Sequence, residues 1–124
     1  MSYDKSLVIE ILQQINDSIS LVKKRCSYAK IADDFLQNDE GLIKLDSICM
    51  RLIAIGEALK NIDKITGRKL LAQYPEIDWK SIKGIRDLLS HHYFDMDAEV
   101  IFGICKEHVE PLQNTISRML DDLK

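Results

Sequence analysis

The chain has 124 residues, 46% of them hydrophobic and 30% charged, with a formal net charge of -3 and a pI near 5.6. That length fits a single domain, residues 1–124, built on one core, while 5 glycines and 2 prolines exclude a fibrous or low-complexity chain and favour helices. The acidic balance argues against a protein that coats nucleic acid by bulk charge, and leaves room for a local basic site.

The N-terminus, MSYDKS, turns polar at once and the longest apolar runs are a few residues. The expectation is a cytoplasmic protein with no signal peptide and no membrane span. Cys26, Cys49 and Cys105 lie far apart in apolar periodic segments, none in a CxxC pair, and read as buried free thiols.

From Asp4, a plausible N-cap, the apolar positions Leu7, Val8, Ile11, Leu12, Ile15, Ile19 and Val22 recur at spacings of three and four, the stripe of an amphipathic helix. The basic triplet Lys23, Lys24 and Arg25 falls where a helix C-terminus favours positive charge, a reading preferred to an RNA contact. Ser27 to Glu40 is a connection whose Tyr28, Ile31, Phe35 and Leu36 are expected to tuck a short turn against the core.

Asn38 and Asp39 offer caps for a second helix. Its stripe is Leu45, Ile48, Cys49, Leu52, Ile55, Gly56, Leu59 and Ile62, widened by Ile43, Ile53 and Ala54, and it ends at Gly67. This is the expected central helix. A glycine inside it, at Gly56, costs about 1 kcal/mol relative to alanine, so something should approach the backbone there. Glu57 beside it is either a solvated charge or a partner for a cation from further along the chain.

After Gly67 a short helical turn stops at Pro75. Asp78 caps a third helix from Trp79, with Ile82, Ile85, Leu88 and Leu89 expected on one buried face. A fourth begins near Asp97 and carries Val100, Ile101, Ile104, Val109, Leu112, Ile116, Met119 and Leu123. Pro111 should kink or divide it. With no strand-like alternation and no repeat, the fold class is all-α, an up-and-down bundle of four main helices with a short extra turn and a kinked last helix.

The densest polar stretch is Ile82 to Asp97, IKGIRDLLSHHYFDMD. Arginine keeps its charge and matches phosphate oxygens with a planar fork, whereas histidine titrates near neutrality. Together they supply what phosphodiester cleavage without a metal needs, a cation for the phosphorane and a base for an attacking 2′-hydroxyl. On an ideal helix Arg86 and His91 are offset by about 140°. They converge only if the helix bends near Ser90 or if a second subunit contributes one of them. On the spacing alone, an arginine and a histidine on a helix are more often structural, salt-bridging Asp87 or capping carbonyls at the helix end. Lys80, Lys83 and Arg86 recur every three residues as a basic stripe suited to phosphates. His91 and His92 are adjacent and so diverge, and no HExxH or cysteine ligand set exists, so no metal site and no cofactor are expected.

Read as Arg86, four residues, His91, one residue, Tyr93, the stretch RDLLSHHYFDMD resembles the signature of the HepT-like HEPN family, the toxin halves of prokaryotic toxin-antitoxin modules. The resemblance extends to IGEALK at 55–60, to YPEIDWKSIKGIRD at 74–87 and to the helix containing Pro111. It implies a HEPN-like bundle that forms a homodimer with two Arg/His motifs facing each other across a cleft, and a metal-independent endoribonuclease acting on RNA. Under it, Arg86 contacts the scissile phosphate, His91 is the general acid/base, Asp87 and Glu57 support them, and Lys80 and Lys83 are candidate RNA contacts. Tyr93 stands where a cognate minimal nucleotidyltransferase (MNT-type) antitoxin adds AMP to silence the toxin. Asparagine is common in the family where Asp87 stands, a mild departure, and His92 is given no role. The competing reading is a non-catalytic helical module that docks a nucleotidyltransferase partner or binds nucleotide.

Overall fold

Asp4 starts the first helix by taking the Leu7 N–H on its carboxylate at 3.1 Å. A computed structural model describes residues 3–90 and 98–124, and six α-helices lie within them, with no strand among the described residues. α1 (Lys5–Cys26) buries Val8, Ile11, Leu12, Ile15, Ile19 and Val22, the stripe its periodicity demands. α2 (Asp39–Thr66) is capped by Asn38, whose side chain accepts from the Gly41 N–H at 2.9 Å, and it ends on Gly67 in the left-handed conformation at φ 62°. At 28 residues it is about 42 Å long, and α1, the two helices that follow it and the next helix after those all pack on it. No helix is long and apolar enough to cross a membrane among the described residues.

α2 is less enclosed than its wide stripe suggests. Leu45, Ile48, Leu59 and Ile62 are sealed, but Ile43 is 60% exposed, Ala54 is exposed and Ile53 half-buried. The connection before it forms a 3-10 turn over Ala32–Leu36 that seats Phe35 in the core with Ala29 and Ala32, while Tyr28 is half-buried. Ile31 and Leu36, expected inside, are exposed, because so tight a turn can direct only one of its large side chains inward. Cys26 and Cys49 are buried free thiols, and Cys105 is only half-buried.

The expected third helix is two. α3 (Trp79–Lys83) is capped by Asp78, and α4 (Ile85–Ser90) follows after Gly84, whose ψ of 5° breaks the helical repeat. Ile85 and Leu89 anchor α4, but Leu88 is 49% exposed rather than buried, since the break rotates it off the shared face. Before α3, the chain is clamped from both ends: Trp79 Nε1 donates to the Tyr74 carbonyl at 2.9 Å, and the Tyr74 hydroxyl donates to Asp122 at 2.6 Å. Burial, and then the Asp122 carboxylate, push the Tyr74 phenol up to about 12.

The last segment divides too, into α5 (Ala98–Glu107) and α6 (Val109–Leu123). The break is at His108, not at Pro111 itself. A proline ring crowds the carbonyl four residues back, here Glu107, so α5 stops there and Pro111 occupies the first turn of α6, where no N–H is needed. Asp97, the expected cap of this segment, lies outside the described residues. Lys23 joins α1 to α6 through Glu110 at 2.6 Å and Gln113 at 3.0 Å, so one member of the basic triplet is an interhelical tie.

Gly56 sets the distance between α2 and α3. A Cβ built on it would stand 2.7 Å from the Ile82 carbonyl oxygen and 3.3 Å from Ile85 Cγ2. We expect Gly56→Ala to lower the urea-unfolding free energy by about 1–3 kcal/mol with an unchanged m-value. Arg68, next to Gly67, carries a side chain in the left-handed region at φ 63°. Arg68→Gly should raise the urea-unfolding free energy, by up to about 1 kcal/mol once the extra chain entropy of glycine is subtracted.

Candidate active site

The close approach at Gly56 determines which side chains meet. Glu57 is its neighbour on α2, and Arg86 follows Ile85 on α4, so seating Ile82 and Ile85 against Gly56 brings the acid and the guanidinium together. Arg86 Nη1 lies 3.6 Å from Glu57 Oε1, and Lys60 Nζ lies 2.9 Å from Oε2. Each carboxylate oxygen therefore faces one cation. The Lys60 ammonium, and less strongly Arg86, hold the Glu57 carboxyl below the usual carboxylate range.

At 3.6 Å the Arg86 contact is an ion pair without the geometry of a strong hydrogen bond. Its guanidinium is oriented by that contact, Glu57 is its one ion-pair partner among the described residues, and the side chain is 63% exposed. Oε2 of Glu57 is itself sealed from solvent, and Lys60, though close, does not meet it at a hydrogen-bonding angle. The acid thus orients Arg86 from beneath and leaves its outer face to a ligand.

Among the other residues singled out from the sequence, Asp87 is exposed at the next position of α4 and Lys80 is exposed on α3. Lys83 is half-buried and its ammonium is tied to Asp63 of α2, so it is already paired. His91, His92 and Tyr93 lie outside the described residues. Lys60 was not anticipated, although its i,i+3 relation to Glu57 makes the contact legible once that face of α2 is known to be outward.

On the other side of α4 runs a mainly apolar groove of about 470 Å³ formed by Ile77, Ile82, Ile85, Leu88, Ile104 and Pro111. The exposed Leu88 lies on its rim, two positions from Arg86.

Comparison with known proteins places these residues in a family context. Residues 4–119 match the family model described as "Ribonuclease HepT-like". A protein of Methanocaldococcus jannaschii named "Putative RNase" is 26% identical over 120 residues, covering 97% of this chain and 89% of its own. Another from the same organism and of the same name is 29% identical, at 97% and 93% coverage. A protein of Thermococcus cleftensis named "Probable ribonuclease HepT" is 28% identical over 110 residues, at 89% and 93%. No solved structure matches the chain.

The pairing of Glu57 carries a pH signature. A carboxyl whose folded pKa is depressed contributes stability above its unfolded value, ordinarily 4.5, and loses that contribution as pH falls through the lower folded value. Glu76, held down by its own backbone and by Arg118, and Asp78, held down by Ser81, act in the same direction. Unfolding free energy should be level from neutrality down to about pH 5 and fall below it. Glu57→Gln should flatten part of that acid limb, as measured by urea unfolding at stepped pH.

Proposed function

Because this chain belongs to the HepT-like ribonuclease family, we propose that it is a metal-independent endoribonuclease and the toxin component of a toxin-antitoxin module, acting through Arg86 and His91 at the cleft of a homodimer. The observation that carries the reading is the exposed Arg86 guanidinium, steadied from behind by Glu57 and open on its solvent side. In this mechanism His91 removes the proton of a ribose 2′-hydroxyl, whose oxygen attacks the adjacent phosphorus. Arg86 neutralises charge on the pentacoordinate phosphorane. The P–O5′ bond then breaks and the 5′-oxygen takes a proton, leaving a 2′,3′-cyclic phosphate and a 5′-hydroxyl.

His91 is five positions after Arg86, so a second subunit bringing its own α4 alongside is one way for the two to meet, and an exposed Leu88 beside Arg86 is the kind of apolar side chain such pairing would cover. Asp87, four positions before His91 in the sequence, supports the imidazole. Lys80 contacts the RNA backbone, and Lys83 contributes less because Asp63 holds it. Silencing is by a nucleotidyltransferase antitoxin that transfers AMP to Tyr93.

Purified protein in EDTA should cleave RNA to cyclic-phosphate ends, with Arg86→Ala and His91→Ala each slowing cleavage by about 10²-fold or more. Equal activity in these variants would remove both from the mechanism. Growth arrest on expression of the wild type alone, absent in His91→Ala, tests the toxin role. Intact mass after coexpression with the cognate nucleotidyltransferase should rise in whole AMP units and not rise in Tyr93→Phe.

A further inference from the structure

Below the Glu57–Arg86 pair, the last turns of α2 and the length of α3 enclose an open groove of about 970 Å³. Five cations line it, Lys60, Lys64 and Arg68 from the α2 side and Lys80 and Lys83 from α3, against two acids, Asp63 and Asp87. The local balance is five minus two, or +3, on a chain whose net charge is -3. Lys60 is engaged by Glu57 and Lys83 by Asp63, whereas Lys64, Arg68 and Lys80 form no ion pair with a described residue.

Helix-end complementation accounts for Lys64, in the last turn of α2, but not for Arg68, which lies beyond the Gly67 cap. Arg68 keeps a side chain at φ 63°, where glycine fits better, and the result is a guanidinium at the groove. The cations also follow one line. Glu57, Lys60 and Lys64 share a face of α2, with Arg68 just past its end, so the groove starts where the Arg86 centre stops. Among the described residues no aromatic side chain lines it, so those residues offer nothing on which a base can stack.

We propose that this groove is a phosphate track for single-stranded RNA flanking the cleaved bond, with Lys64, Arg68 and Lys80 as its sequence-independent contacts; it rests on the reading of the chain as an RNA-cleaving enzyme. Phosphate contacts position a strand without reading its bases, so the track sets register and affinity and leaves sequence choice to the cleavage centre. Each contact to a single strand contributes about -0.7 to the slope of log K against log salt.

The test is binding of a fluorescein-labelled single-stranded RNA by the His91→Ala protein, with and without Lys64→Gln, Arg68→Gly and Lys80→Gln together, over a salt series. The triple variant should bind about tenfold more weakly at moderate salt and flatten the slope by about 2, to the same extent on RNAs of different sequence. A control removing three exposed lysines elsewhere, Lys5→Gln, Lys30→Gln and Lys124→Gln, should leave the slope as it was. An unchanged slope in the groove variant, or an equal change in the control, overturns the track. In the His91-containing enzyme the groove variant should raise KM, and a loss confined to kcat would overturn the proposal as well. Arg68→Gly alone guards against a folding artefact, because glycine relieves the backbone there and any loss of RNA affinity must come from the guanidinium. Absence of RNA cleavage by the wild type would defeat the catalytic reading, while the salt slope still decides the track.

Discussion

The fold turns on a backbone contact with no room for a methyl group. Where α3 crosses α2, the Ile82 carbonyl oxygen comes within 2.7 Å of the place a Cβ on residue 56 would occupy. Only glycine permits that approach, and its cost inside a long helix is offset by the packing it allows. Everything of chemical interest is keyed to it. Ile85 and Leu89 become buried, α4 is laid along α2, and the next residue of each helix, Glu57 and Arg86, faces the other.

The remaining structure holds that crossing in place. Trp79, Tyr74 and Asp122 link the loop before α3 to the C-terminal helix through two hydrogen bonds, and Arg118 pairs with Glu76 while lying over the Tyr74 ring. Ion pairs this exposed contribute little individually, roughly 0–1 kcal/mol. Their use here is geometric, since together with the apolar core they fix the entry angle of α3. The α1–α6 tie through Lys23 does the same for the other side of the bundle.

Charge is distributed against the average. The chain is acidic, yet the face formed by the end of α2 and by α3 is basic, and the one acid at its head, Glu57, is engaged by two cations. An acidic chain that concentrates cations on this face combines weak bulk attraction for nucleic acid with a local basic site.

What the sequence determined by itself was periodic and local. The stripes of α1 and α2, the caps at Asp4, Asn38, Gly67 and Asp78, the stop before Pro75, and the demand for a close neighbour at Gly56 all follow from side-chain spacing and backbone preference. The all-α class and the family resemblance were legible too. Tertiary structure alone decided which residue approaches Gly56, that Glu57 pairs with Arg86, and that Lys83 is held by Asp63. It also decided that the third helix divides, turning Leu88 outward, that the break expected from Pro111 falls at His108, and that Ile43 stays on the surface of the central helix. The reason is physical: periodicity specifies a face but not what covers it, and an ion pair between residues 57 and 86 is a property of two helices crossing, which neither segment encodes alone.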